Sequence, residues 1–129
     1  HTFVGYFIGS PGMNLLDAKV DGGSAYVDGT QIPLGAAYGN PQGKVQIGLR
    51  PEFVTLTSDE GVPVKVRRVE DVGRHRIIRA DFFGTEINAI AHEGMPVSPD
   101  MNRVVFEPSK VSVYADDWRV APIAQGRAA

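Results

Sequence analysis

The chain contains no cysteine. That excludes disulfide frameworks, thiolate nucleophiles and Cys-bearing metal sites, and it is compatible with a reducing compartment. Neither sign of charge dominates. Thirteen Lys and Arg stand against 15 Asp and Glu, a net charge of -2, whereas nucleic-acid binders are usually strongly basic. No apolar stretch reaches the roughly 20 residues that a membrane-spanning helix needs. The longest uncharged run, Thr2 to Leu16, is interrupted by a turn signal at Ser10-Pro11-Gly12. A signal peptide would carry basic residues ahead of such a run and a small-residue cleavage site after it. Only His1 precedes this run, and Asn14-Leu15-Leu16-Asp17 follows. Helical periodicity is also missing from every segment of useful length.

What is present is turn-rich and ordinary in polarity. The 129 residues suit one compact domain or two very small ones sharing a core. Hydrophobic residues make up 43% and charged residues 22%, as in globular rather than disordered chains. Fifteen glycines and nine prolines point to short strands separated by turns. Phe3 to Ile8 reads as a strand covered on both faces. Leu16, Ala18 and Val20 alternate with Asp17, Lys19 and Asp21 in the period of two expected for a half-exposed strand. Asp28-Gly29 between Ser24–Val27 and Thr30–Leu34 is a two-residue hairpin signal. Val45, Ile47 and Leu49 share one face of a strand that stops at Arg50-Pro51. Val62 to Val72 reads as the longest strand, with a parity slip at Arg67-Arg68 that predicts a β-bulge. A hairpin turning at Gly84-Thr85 follows, and Arg103 to Ala115 supplies two last strands around Glu107-Pro108-Ser109. The expected fold is all-β, one or two small Greek-key barrels of the oligonucleotide/oligosaccharide-binding (OB) kind.

No catalytic constellation emerges. "GNPQGKV", Gly39 to Val45, looks like a phosphate-binding loop, but only three residues separate its glycines and Val45 stands where a hydroxyl is required. A simple turn is the better reading. Lys65, Arg67, Arg68, Arg74, Arg76 and Arg79 form a basic cluster that could track a nucleic-acid backbone. Glu70, Asp71 and Asp81 are interleaved with it, and no aromatic lies between Phe53 and Phe82 to stack on bases, so a solvated face with cross-strand ion pairs is favoured. His1, His75 and His92 lack ligand spacing. Asp116 and Asp117 are neighbours, which on a strand point to opposite faces and make a poor acid/base dyad. Trp118 among these charges reads as a packing anchor or a contact to another chain.

"FVGYFIGSPGMNLL" resembles the segment of carbohydrate-type ABC importer ATPases where the nucleotide-binding domain ends and the C-terminal regulatory domain begins. Phe3, Val4, Phe7, Ile8, Gly9, Ser10, Pro11, Met13, Asn14 and Leu16 match that pattern. "IGLRPEFV" is similar to the family's Leu-Gly-Ile-Arg-Pro-Glu-His, with Phe53 replacing the His, and "VEDVGRHRIIRADFFGTEINA" to a strand-turn-strand of its transport-associated (TOBE, or MOP-like) barrel. "YADDWRV" departs from the family's closing segment. The resemblance implies a non-catalytic regulatory and dimerising domain of a sugar or glycerol-3-phosphate importer, with residues 1–16 a junction, about 17–119 the barrel and 120–129 a tail. It places Phe3, Phe7, Ile8, Ser10, Pro11, Met13, Asn14, Arg50, Pro51 and Glu52 at a seam with the motor domain. It makes Arg67, Arg68, Arg74, Arg76 and Trp118 contacts to a second copy or a regulatory protein. No phosphate loop, signature motif or Walker B strand occurs in the chain, so no cofactor is expected here. ATP and magnesium, the motor and the permease contacts would belong to a parent that extends ahead of His1 and lies in the cytoplasm against the inner membrane. The rival expectation is an independent barrel that binds single-stranded nucleic acid or a small oxyanion through the Arg67 to Arg79 face.

Overall fold

A computed structural model describes residues 12–123 and, as backbone, the strand Phe3–Phe7. Strands carry almost all the regular structure. Among the described residues the helical pieces are two 3-10 turns, Pro51–Phe53 and Pro108–Lys110. In each, proline occupies the first turn, where its missing N–H costs nothing.

Four small sheets share the core. The first, of five strands, holds β1 (Phe3–Phe7) and β2 (Asn14–Asp17), with β6 (Val45–Leu49), β13 (Ser112–Ala115) and β14 (Trp118–Val120), in the spatial order β1-β14-β13-β6-β2. β3 (Lys19–Asp21), β4 (Ser24–Val27) and β5 (Thr30–Pro33) form a meander. β7 (Val54–Thr57) and β8 (Val62–Pro63) flank β12 (Arg103–Phe106). β9 (Lys65–Asp71), β10 (His75–Phe82) and β11 (Thr85–His92) make the fourth sheet, with β10 in the middle. Every pairing is antiparallel. Alternate residues from all four sheets fill one interior: Leu16, Ile32, Ile47, Val54, Ile78, Phe82, Ile87, Val104 and Val113 are each almost fully buried. This is the all-β, OB-like architecture that the spacing of turns and strands predicts.

Several local expectations hold. Val27 pairs with Thr30 across Asp28-Gly29, both with positive φ, which matches the twist of the flanking strands. The β-bulge is present: Arg79 faces Arg68 and Ala80 faces Val66, so Arg67 is the extra residue.

Others need correction. The segment 62–72 is not one strand. It breaks at Val64, whose N–H donates to the Asn102 carbonyl at 2.9 Å, so β8 joins β12 while β9 joins β10. The alternating segment 16–21 likewise changes sheets at Ala18, whose N–H donates to the Val45 carbonyl at 3.1 Å. Alternation records which face is buried and is blind to a change of partner. The β10–β11 turn is Phe83-Gly84, one residue earlier than expected, with Phe83 at φ 49° and Phe82 paired to Thr85. Strand β14 was not anticipated. Asp116 and Asp117, at φ 50° and 72°, form a two-residue turn that folds Trp118 back onto Ala115.

Candidate interaction surface

The residues expected at the seam lie far apart in sequence, and the register of β2 on β6 gathers part of them. Asn14 faces Leu49, so the start of β2 and Arg50-Pro51-Glu52 meet at one end of the five-stranded sheet. Ile8, Ser10 and Pro11 lie outside the described residues, and Phe3 and Phe7 are described only as β1 backbone, paired with Val120 and Trp118. At the gathered end, Arg50 Nε donates to Glu52 Oε2 at 3.1 Å across the 3-10 turn, and the Phe53 N–H closes that turn on the Arg50 carbonyl at 3.0 Å. A hydrogen bond from its own backbone N–H, and then the Arg50 guanidinium, hold the Glu52 carboxyl below the usual carboxylate range. Lys110 Nζ sits 5.2 Å from the centre of the Phe53 ring on the same corner.

Asn14 is also bonded within the domain. Its side chain is the one buried polar group among the described residues, 3% exposed. Nδ2 donates to the Asn88 carbonyl at 2.9 Å, and the Asn88 N–H donates to Oδ1 at 2.8 Å. One amide thus imitates a strand and saturates the free edge of β11, tying the sheet that starts the chain to the β9–β11 sheet. The amide joins two sheets inside the domain. Met13 also turns inward, with the Tyr114 hydroxyl 3.6 Å from its sulfur.

The basic cluster is divided. Arg79, in the middle of β10, places Nη2 3.0 Å and Nε 3.1 Å from Glu70 Oε1, and Nη1 3.2 Å from Asn88 Oδ1. Arg68 reaches the other Glu70 oxygen at 3.0 Å. Arg76 donates to the Met95 carbonyl. Lys65, Arg67 and Arg74 have no ion-pair partner among the described residues. Trp118 belongs to the five-stranded sheet, whereas Arg67, Arg68, Arg74 and Arg76 lie on the β9–β10 hairpin. With Arg68 and Arg79 sharing Glu70 and the Phe82 ring buried, the arrangement favours a solvated face with ion pairs over a track for single-stranded nucleic acid. A fluorescently labelled oligonucleotide titrated at two salt concentrations should show no saturable, salt-steep binding; a steep salt slope would overturn that expectation.

Glu70 emerges as the hub of this face. Hydrogen bonding from Arg79, then the charges of Arg79 and Arg68, hold its carboxyl below the ordinary range. A depressed carboxylate contributes stability above its unfolded value and loses it as pH falls through the folded value. The pair is exposed, so the effect is small. Urea midpoints of Glu70→Gln and the native chain should therefore differ near neutrality and converge only as pH falls below the ordinary carboxylate range, through the depressed folded value. Equal gaps at neutral and low pH would contradict the role of the carboxylate.

The phosphate-loop lookalike is filled by the chain itself. The Lys44 N–H donates to Asp116 Oδ1 at 3.0 Å and the Asp116 N–H to the Lys44 carbonyl at 2.9 Å. Gly43 is at φ 90°, and a Cβ there would stand 2.6 Å from Asp116 Oδ2. An internal carboxylate takes the place that an anion would have filled. Among the described residues no cluster of His, Asp or Glu could hold a metal ion, and no helix is long and apolar enough to cross a membrane.

The fold defines an OB-like all-β domain. Residues 9–54 match the family model of the MalK OB fold domain. The chain is 37% identical over 120 residues to the sn-glycerol-3-phosphate import ATP-binding protein UgpC of Ruegeria pomeroyi, an alignment covering 90% of this chain and 33% of that protein. It is 33% identical over 121 residues to the protein of that name from Yersinia pestis bv. Antiqua, covering 89% and 34%. With UgpC 2 of Agrobacterium fabrum, identity is 39% over 103 residues, covering 76% and 28%. The chain thus spans about a third of the length of the curated relatives it matches. Residues 9–54 are similar to the MalK OB fold domain, and most of the chain is similar to part of glycerol-3-phosphate import ATP-binding proteins.

Proposed function

We propose that this domain is the regulatory and dimer-joining part of the ATP-binding subunit of a glycerol-3-phosphate or sugar importer. The parent subunit would couple ATP hydrolysis to solute uptake. Its nucleotide-binding domain would hold ATP and magnesium, contact the membrane permease, and sit at the cytoplasmic face of the inner membrane. The alignment with glycerol-3-phosphate import proteins over nine-tenths of the chain carries this reading. The geometry is consistent with it: the Arg50-Glu52 corner and the β9 edge lie at the surface, where a neighbouring domain or a second copy could reach them. A domain of this kind acts by differential affinity. A second copy, or a regulatory protein, that binds one arrangement of the parent better than another shifts its cycle by that difference.

The test is a chimera in which this chain replaces the aligned third of a glycerol-3-phosphate import subunit. In a strain lacking its own subunit, glycerol-3-phosphate uptake should be restored. A chimera that accumulates and assembles with the permease, yet neither supports uptake nor forms a dimer, would overturn the reading.

A further inference from the structure

We propose that two copies of this chain join by antiparallel pairing of β9 with β9, about a two-fold axis at Val69. This rests on the reading of the domain as a joining element and names the surface that does it. β9 is the outer strand of its sheet, and among the described residues no strand lies against its free edge. The Val72 N–H donates to the His75 carbonyl at 3.0 Å, closing the hairpin. Because alternate residues of an antiparallel pair bond to the partner, Glu70 bonds toward β10, and Val69 and Asp71 turn their N–H and C=O groups outward.

Charge then selects the register. With the axis at Val69, Val69 meets Val69, Arg68 of one copy faces Glu70 of the other, and Arg67, the bulge residue, lies opposite Asp71. Every pair is apolar or of opposite sign, as a self-complementary two-fold interface requires. Moving the axis one residue sets Arg68 against Arg68, or Glu70 against Glu70, and like charges directly opposite are destabilising. Val69 is 42% exposed, unusual for a valine on a sheet, and Val72, just beyond the end of β9, is 50% exposed. Beside Val69 lies an apolar recess lined by Leu56, Val66, Val97 and Met101, which a second copy would cover. The alternative, that the bulge and the charges only protect a bare edge from pairing, does not account for a charge order that reverses along the strand about an exposed valine.

The absence of cysteine makes the test direct. Val69→Cys carries a single thiol, which should link two chains on mild oxidation, while Thr55→Cys, exposed on the outer face of β7, should not. Arg67, without an intramolecular ion pair, can be reversed without disturbing the fold. Arg67→Asp should lower the dimer fraction in sedimentation several-fold, Asp71→Arg should do the same, and the double reversal should restore it. A dimer that resists Arg67→Asp and whose Val69→Cys form does not cross-link would overturn the β9 pairing but leave the joining function intact. A folded chain that remains monomeric at every concentration would overturn both.

Discussion

Asn14→Ala is expected to destabilise the chain by about 3 kcal/mol. The substitution strands the Asn88 N–H and C=O, now bonded at 2.8 and 2.9 Å, where no strand can replace the lost amide. Each unsatisfied buried backbone group costs about 1–3 kcal/mol. For a domain of this size, that corresponds to a fall in Tm on the order of 10 °C. Asn14→Asp gives a sharper reading of the same bond. Its carboxylate can accept from the Asn88 N–H, but its second oxygen faces the Asn88 carbonyl, lone pair against lone pair. Burial and that carbonyl both raise the pKa of the new side chain, because only the protonated form can donate. A raised folded value means that stability returns as pH falls through it. The deficit of Asn14→Asp relative to the native chain should therefore shrink between neutral pH and about pH 5, measured by urea unfolding at each pH. A deficit independent of pH would show that the carboxyl never occupies the amide's place.

Gly61→Ala should be comparably severe, for a steric reason. Gly61 lies at φ 86°, and a Cβ there would stand 1.9 Å from the Val104 carbonyl oxygen. The left-handed conformation costs a non-glycine residue about 1–2 kcal/mol. Displacing β12 costs roughly 1–3 kcal/mol more, because a packed core yields only by straining its neighbours. The Gly61 carbonyl also accepts from Arg103 Nη2 at 2.7 Å, so the shift would loosen the β8–β12 pair as well. Thermal unfolding of Gly61→Ala should fall by on the order of 10 °C, and Arg103→Ala, which removes only the exposed bond, by far less. Similar losses in the two variants would place the cause in the arginine rather than in the close approach.

Both positions show where sequence reasoning works and where it stops. Asp28-Gly29 was legible because a two-residue turn leaves a local chemical mark, and the Arg67-Arg68 bulge because a change of parity is visible along one strand. The break at Val64 and the sheet change at Ala18 left no such mark, since the buried face continues while the hydrogen-bond partner changes. Asp116-Asp117 lacks the glycine that usually signals a tight hairpin, so β14 went unseen, together with its place beside β1. Asn14 was visible as part of a motif, but its partner Asn88 lies 74 residues away, with no local signal to connect them.

The order of residues alone determined the all-β class, the exclusion of thiol, phosphate-loop and membrane-helix chemistry, and the family likeness of the opening segment. Those properties reside in composition, in spacing of a few residues, and in motifs read along the chain. Only the tertiary structure decided that Arg68 and Arg79 share Glu70, that Asp116 fills the loop before Lys44, and that Asn14 is bonded inside the fold. Each of these depends on which distant strand lies alongside, a choice made by packing the whole core at once.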